Sequence, residues 1–178
     1  MHLESEAWDR FFDSFRISAW RLELHQVYTM PGERDEFAQF RRDGTLEIAA
    51  DDPWLERVRH FRATGRHIGR VHVVRRPLAD YLRYEFTYQL HAEIAGEDIH
   101  VLDLTEEPDP GLPDEDFWMF DDAQIVRMMY RPDGTQIGRE LLTDPDLSEF
   151  IHYRRIAQRD AVPLRQFWSE FGDAARAG

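Results

Sequence analysis

The strongest constraint on the fold is the alternation of strand and helix patterns along the first 104 residues. Strictly alternating apolar and polar residues predict a strand over 18–28, and short apolar runs predict strands over 70–74 and 99–104. Helical periodicity lies between them, over 53–64 and 77–94. This order argues against an all-α or all-β chain and favours an α/β or α+β fold.

The second half of the chain predicts a β-meander followed by helices. Turn residues separate three apolar-rich runs at 116–120, 124–131 and 135–143, and helical patterns begin near 146 and 163. Shorter helices are expected over 5–15 and 33–42. We therefore expect a mixed central sheet of about five to six strands, with the meander near 116–143 and with flanking helices. The C-terminal helices should pack on this sheet.

The length of 178 residues fits a single domain over 1–178 with a sizeable core. The segment 105–115 is acidic and rich in proline, which predicts a surface loop, and the last few residues are expected to be disordered. No apolar run is long enough to cross a bilayer, and the N-terminus lacks a signal-peptide pattern. We expect a cytoplasmic protein with no membrane partner.

The charge composition excludes several kinds of chemistry. The 22 basic residues are all arginine, they face 35 acidic residues, and the chain has no lysine and no cysteine. Disulfides, thiolate metal sites, cysteine nucleophiles and Schiff-base lysines are therefore ruled out. The net charge of −13 makes direct binding to nucleic acid unlikely, because phosphate backbones require a basic footprint.

Positive charge concentrates between Arg57 and Arg83, and negative charge between 97 and 122. Arg59, Arg62 and Arg66 lie on one face of the predicted helix over 53–64, with Arg66 just beyond its end. Planar guanidinium groups at this spacing suit a small anion. The alternative is a solvated helix face whose arginines pair with acidic residues of the same chain.

Other candidate residues are polar groups expected at buried or strand positions. Glu85 lies among aromatic residues of the longest predicted helix, where a carboxylate must either be paired or have a raised pKa, and Arg70 or Arg21 is a suitable partner. Carboxylates bracket the aromatic run 116–122, where they could form an acid/base pair, hold a divalent cation or shape a turn. The full set of candidates is Arg21, Glu23, Arg70, Tyr81, Tyr84, Glu85, Asp116, Trp118 and Asp121.

The histidines show no spacing typical of a metal site. Glu23 and His25 share a predicted strand face, but one glutamate beside one histidine is weak evidence, and cross-strand ion pairing by Arg21, Glu23 and His25 explains them better. No glycine-rich phosphate loop and no nucleophile elbow are present. We therefore expect no metal site and no cofactor, and the pattern assigns no catalytic residue.

Several segments resemble a family of small actinobacterial proteins known as domain of unknown function 6879. The segments are Ala19-Trp20-Arg21-Leu22-Glu23, Arg70-Val71, Pro77-Leu78-Ala79-Asp80-Tyr81, Tyr84-Glu85, Gly96-Glu97-Asp98-Ile99 and Asp116-Phe117-Trp118-Met119-Phe120-Asp121. The resemblance implies a gene neighbourhood with helix-turn-helix regulators, and no catalytic residues. The region from 54 to the hairpin at Asp121 also looks somewhat like half of a phospholipase D-type domain, whose catalytic lysine this chain lacks.

Two functions from different classes follow. The first is a non-enzymatic regulatory or adaptor protein that binds a protein partner, either a helix-turn-helix transcriptional regulator or a second copy of itself. The aromatic helix with Leu164, Phe167, Trp168 and Phe171 is its candidate anchor, unless that helix packs on its own core. The alternative is a small-anion-binding protein or hydrolase, which requires the arginines and carboxylates to converge on one cleft.

Overall fold

Three parallel strands form the centre of the sheet in the computed structural model, which describes residues 1–171. Strands β1 (Ser18–Glu23), β2 (His67–Val74) and β3 (Asp98–Asp103) lie side by side, with β1 parallel to β2 and β2 parallel to β3. Parallel neighbours require crossover connections, and the helices between the strands supply them. The predicted alternation of strands and helices is confirmed.

Four further strands extend this centre to a seven-stranded mixed sheet. Antiparallel strands β4 (Asp116–Phe120), β5 (Gln124–Tyr130) and β6 (Gln136–Leu141) form the predicted meander, and β4 pairs with β1. The two-residue strand β7 (Val162–Pro163) pairs with β3 and gives the order β6-β5-β4-β1-β2-β3-β7. The mixed fold is as expected, with one strand more because β7 is too short to leave a sequence pattern.

Helices cover both faces of the sheet. They are α1 (Ser5–Asp13), a 3₁₀ turn (Pro31–Glu33), α2 (Arg34–Asp43), α3 (Pro53–Ala63), α4 (Asp80–Ala95), α5 (Leu147–Arg159) and α6 (Leu164–Phe171). Helices α1, α3, α4 and α6 pack on one face and α5 packs on the other. In the described part of the chain, no helix has the length and apolar character needed to cross a bilayer.

The C-terminal helices pack on the sheet, as predicted. Leu164 and Phe167 of α6 are buried in the same core as Phe86 of α4, and Trp168 and Phe171 pack against that core while half-buried. The apolar face of α6 is thus used within the chain, which favours the second of the two interpretations given to this helix. The expected disorder of the last few residues concerns 172–178, which lie outside the described residues.

Local signals set several element ends. Asp52 accepts a hydrogen bond from the backbone N–H of Leu55 at 2.9 Å and caps α3, with Pro53 at the first helical position. Gly96 ends α4 with a φ of +122°. The first predicted strand, over 18–28, is shorter than expected and ends at Glu23, because the chain then leaves the sheet towards the 3₁₀ turn.

The Asp121 carboxylate joins the start of β1 to the turn between β4 and β5. It accepts hydrogen bonds from the backbone N–H groups of Arg16, Ile17 and Ser18 at 2.7–3.2 Å. Burial acts to raise the pKa of Asp121, but these backbone donors outweigh it and lower the pKa below its ordinary value of 3.8. Asp121 is therefore a structural turn residue, as one of the sequence interpretations held.

We predict that Asp121→Asn lowers the free energy of unfolding by about 1–3 kcal/mol, because the three N–H groups lose a charged acceptor. A group with a depressed pKa stabilises the fold above its unfolded-state pKa and loses this effect as the pH falls. The difference between the two proteins should therefore shrink below about pH 4 in urea unfolding. Asp122→Asn, which removes only the surface ion pair with Arg154, serves as control and should cost at most about 1 kcal/mol.

Candidate functional site

The polar face of β1 lies inside the protein. Arg21 and Glu23 point to the face covered by α1, α3 and α4, whereas Trp20 and Leu22 point to the face covered by α5. The predicted alternation is therefore present, but neither face of this strand meets solvent, because parallel strands in the middle of a sheet are covered on both sides. Glu23 is fully buried.

Two arginines hold Glu23 in place. Arg70 on β2 donates from Nη1 to Glu23 Oε2 at 3.1 Å, and Arg21 Nη2 lies 3.1 Å from Glu23 Oε1. Burial acts to raise the pKa of Glu23, but the positive charges of Arg21 and Arg70 outweigh it and lower the pKa to about 2. Glu23 is thus a buried carboxylate that stays ionised.

Arg70 also connects the sheet to the end of α4. Its Nε donates to Glu97 Oε1 at 2.6 Å, and the other oxygen of Glu97 accepts a hydrogen bond from Trp54 Nε1 at 3.0 Å. Arg70 was expected to be a partner of Glu85, but it contacts Glu97 and Glu23 instead. The Arg70–Glu97 pair joins the arginine-rich stretch of the sequence to the acidic stretch.

Asp116 extends the network to the meander. It accepts hydrogen bonds from the Tyr28 hydroxyl at 2.6 Å and from the backbone N–H of Leu24 at 2.8 Å, and it lies 3.7 Å from Arg21 Nη2. Asp116 is the first residue of β4 and Asp121 follows its last residue, so the two are about 17 Å apart at the usual rise per strand residue. They do not form the acid/base pair considered from the sequence.

His72 and Glu85 form the least satisfied part of this network. His72 Nε2 lies 3.0 Å from the carbonyl oxygen of His25, while Nδ1 lies 3.4 Å from Glu23 Oε2 and 3.8 Å from Glu85 Oε2. Burial lowers the pKa of His72, and burial together with the charge of Glu23 raises the pKa of Glu85. Glu85 accepts one hydrogen bond, from Gln89 Nε2 at 3.0 Å.

A cavity of about 320 Å³ opens above this network, between the sheet and α4. Its floor contains Arg21, Glu23, Arg70, Glu85 and Gln89, and its walls are mostly aromatic. The aromatic lining residues are Trp8, Phe12, Tyr28, Trp54, Tyr81, Tyr84, Tyr88, Trp118 and Tyr130. A volume at the lower end of the range for ligand sites, with few converging polar groups, is typical of a small-molecule pocket.

Tyrosine hydroxyls fix the segments around the cavity. Tyr81 donates to Glu33 of the 3₁₀ turn at 2.9 Å, and Tyr84 donates to Glu36 of α2. Burial, opposed by the hydrogen bond from Tyr81, raises the pKa of Glu33. These bonds hold the 3₁₀ turn and α2 against α4, so Glu33 and Met30 border the cavity on its more exposed side.

Arg139 on β6 is a further cation that borders the cavity. Its guanidinium carbon lies 5.2 Å from the centre of the Trp8 ring, and burial lowers its pKa. Among the described residues, no carboxylate lies within ion-pair distance of Arg139, and its Nε has no hydrogen-bond partner. Arg57, on the same border, is already paired with Asp13 at 2.7 Å.

The three arginines predicted to bind an anion do not line this cavity. Arg59 and Arg62 are exposed on α3, and Arg66 donates to the backbone carbonyl of Asp13 at 2.9 Å while stacking on Phe61. Anion binding by these residues stays a prediction. Trp118, by contrast, lies in the cavity wall, 5.7 Å from the guanidinium of Arg21.

Sequence reasoning missed His72, Gln89, Glu97 and Arg139 as members of the site. His72 stands between Val71 and Val73 in β2, and a polar residue between buried apolar residues of a strand is a usable signal. Gln89 and Glu97 face the network only because α4 crosses above β2. Nothing in the sequence around Arg139 distinguishes it from the other arginines.

Comparison with known families identifies the relatives of this chain. The model of one family, described as "Domain of unknown function (DUF6879)", matches residues 6–169. The chain belongs to this family. The matched range includes every residue that lines the cavity, from Trp8 to Arg139. A comparison with curated proteins returned no match.

We predict that Arg70→Met lowers the free energy of unfolding by about 3–5 kcal/mol, because Glu97 and Glu23 would remain buried without their cation. Adding Glu97→Gln should restore part of this loss, since one of the two uncompensated charges is removed. Arg127→Met, which breaks only exposed pairs with Glu115 and Glu140, is the control and should cost at most about 1 kcal/mol. Urea unfolding that showed equal losses for Arg70→Met and the control would contradict this account of the network.

Proposed function

We propose that this protein binds a small organic anion in the cavity, as a binding or sensor protein. The observation that carries the proposal is Arg139, which borders the cavity half-buried and without a carboxylate partner among the described residues. A partly desolvated guanidinium gains charge-assisted hydrogen bonds when an anion approaches, and its planar fork suits a carboxylate or phosphate group. Of the arginines and carboxylates expected to converge on one concave site, Arg57, Arg70, Glu23 and Glu85 line this cavity, which supports the proposal, whereas Arg59, Arg62, Arg66 and Asp121 do not.

The walls of the cavity support an apolar or aromatic body for this ligand. Trp54, Tyr88 and Trp118 line the walls, while Arg21 and Arg70 on the floor are already paired with Glu23. Ring faces contribute stacking energy with little conformational cost. An anion that carries a flat apolar group therefore fits better than a bare inorganic ion.

A binding function agrees better with the lining than catalysis does. In the described residues, the cavity is lined by no serine or threonine, and its carboxylates and tyrosine hydroxyls are largely occupied by fixed partners. The regulatory or adaptor role stays a prediction, in which a helix-turn-helix regulator or a second copy would respond to the bound anion. The cytoplasmic location predicted from the sequence stays a prediction as well.

Tryptophan fluorescence tests the proposal, because Trp8, Trp54 and Trp118 line the cavity. Protein treated with EDTA is titrated with benzoate, inorganic phosphate and adenosine monophosphate. We expect benzoate or the nucleotide to change the emission saturably, and Arg139→Gln to weaken the binding at least about tenfold, or about 1.4 kcal/mol.

The matched control is Arg155→Gln, an exposed arginine of α5 on the opposite face of the sheet. It should bind as the unchanged protein does. The proposal fails if none of the three probes binds at concentrations up to about 10 mM, which corresponds to a binding free energy weaker than about 3 kcal/mol. It fails equally if Arg139→Gln and Arg155→Gln bind alike.

A further inference from the structure

We propose that Glu23, His72 and Glu85 form a binding site for a divalent transition-metal ion of the Zn²⁺ or Mn²⁺ type. The three side chains come from β1, β2 and α4, and each offers one ligand atom within 4.8 Å of the other two. His72 Nδ1 is 3.4 Å from Glu23 Oε2 and 3.8 Å from Glu85 Oε2. Ligands about 2.1 Å from a tetrahedral ion stand about 3.4 Å apart, so small side-chain shifts close the site.

The hydrogen bonding of His72 orients it for metal binding. Its Nε2 faces the carbonyl oxygen of His25 at 3.0 Å, and since a carbonyl only accepts, Nε2 carries the proton. In the neutral ring Nδ1 then carries a lone pair directed at the two carboxylates. A histidine that donates its other N–H to a backbone carbonyl is the usual arrangement behind a metal ligand.

Several acceptors in this cluster have no donor to satisfy them. His72 Nδ1, Glu85 Oε2 and Gln89 Oε1 are buried and have no hydrogen-bond partner among the described residues, whereas Glu23 Oε1 has its ion pair with Arg21. His72 is 0% exposed and Gln89 is 2% exposed. Buried acceptors are normally paired, and unpaired acceptors close to one another call for a cation or a proton between them.

The charges around the cluster favour a doubly charged ion. Among the described residues, the carboxylates of Glu23, Glu97 and Asp116 pair with two guanidinium groups, those of Arg21 and Arg70, and Glu85 pairs with neither. Full ionisation leaves two negative charges uncompensated inside the protein. A divalent cation neutralises these two charges. Two protons do so as well, so the experiment must distinguish metal binding from protonation.

The donor set selects the type of ion. One imidazole nitrogen and two carboxylate oxygens suit Zn²⁺, Mn²⁺ or Fe²⁺, whereas Mg²⁺ and Ca²⁺ prefer oxygen ligands alone. Glu23 and Glu85 also line the cavity, so a fourth coordination position would open towards its interior. Three protein ligands leave one coordination position for a water molecule.

Isothermal titration calorimetry of EDTA-treated protein with ZnCl₂, and separately with MgCl₂, tests the proposal. We expect one Zn²⁺ per chain and no detectable Mg²⁺ binding. His72→Gln keeps a donor for the His25 carbonyl but removes the Nδ1 ligand, and Glu85→Gln keeps the shape of the side chain but removes a charged ligand. Each should weaken Zn²⁺ binding by at least about 10- to 100-fold, the loss that removal of even an outer-shell partner causes.

The matched control is His100→Gln, because His100 Nδ1 lies 3.4 Å from Asp98 Oδ1 in an exposed pair that could bind zinc adventitiously. It should leave the affinity unchanged. If Zn²⁺ does not bind, or if Glu85→Gln binds it as tightly as the unchanged protein, protons fill the cluster and the proposal is wrong. Loss of binding in His100→Gln alone would also overturn it.

Thermal unfolding followed by circular dichroism shows whether each variant is folded, and Glu85→Gln decides the question if His72→Gln does not fold. The test of the metal site is separate from the test of the anion site, because zinc is titrated without an organic anion and benzoate is titrated without metal. Either proposal can therefore fail while the other stands.

Discussion

The ion pair between Arg70 and Glu97 is the contact on which the rest of the site depends. It ties β2 to the residue that follows α4, and through Glu23 the same guanidinium reaches β1. The position of α4 over the sheet decides where Glu85, Gln89 and the tyrosines of that helix lie. An unpaired charge at this depth costs several kcal/mol, so the pair also fixes the position of α4 relative to the sheet.

A buried polar network of this kind gives a fold little stability compared with an apolar core. Ion pairs regain in attraction roughly what they lose in desolvation, so apolar residues of similar volume often stabilise a protein as well or better. The network in this chain is also incompletely satisfied, at His72, Glu85 and Gln89, and it faces a cavity rather than packed side chains. Strongly perturbed groups that line a cavity are typical of functional sites.

Much of the fold could be predicted from the sequence, because the spacing of apolar residues differs between strands and helices. The alternation in β1, the proline after Asp52 and the turn residues before β6 are each local sequence signals. The site was harder to predict. Arg21 and Glu23 were recognised as polar strand residues, but their burial depends on α4 crossing above β1 and β2. Glu23, His72 and Glu85 meet only in three dimensions, and no local spacing encodes that meeting.

The most direct test of this account is a crystal structure of the protein grown with Zn²⁺, with data collected at the zinc absorption edge. The account predicts one anomalous peak on the cavity floor, about 2.0–2.2 Å from His72 Nδ1 and from one oxygen each of Glu23 and Glu85. A map with no peak there, in which Glu85 instead donates a hydrogen bond directly to His72, would contradict it. Carboxylates on the cavity floor would then be protonated, and they would have a structural role and would not bind a metal ion.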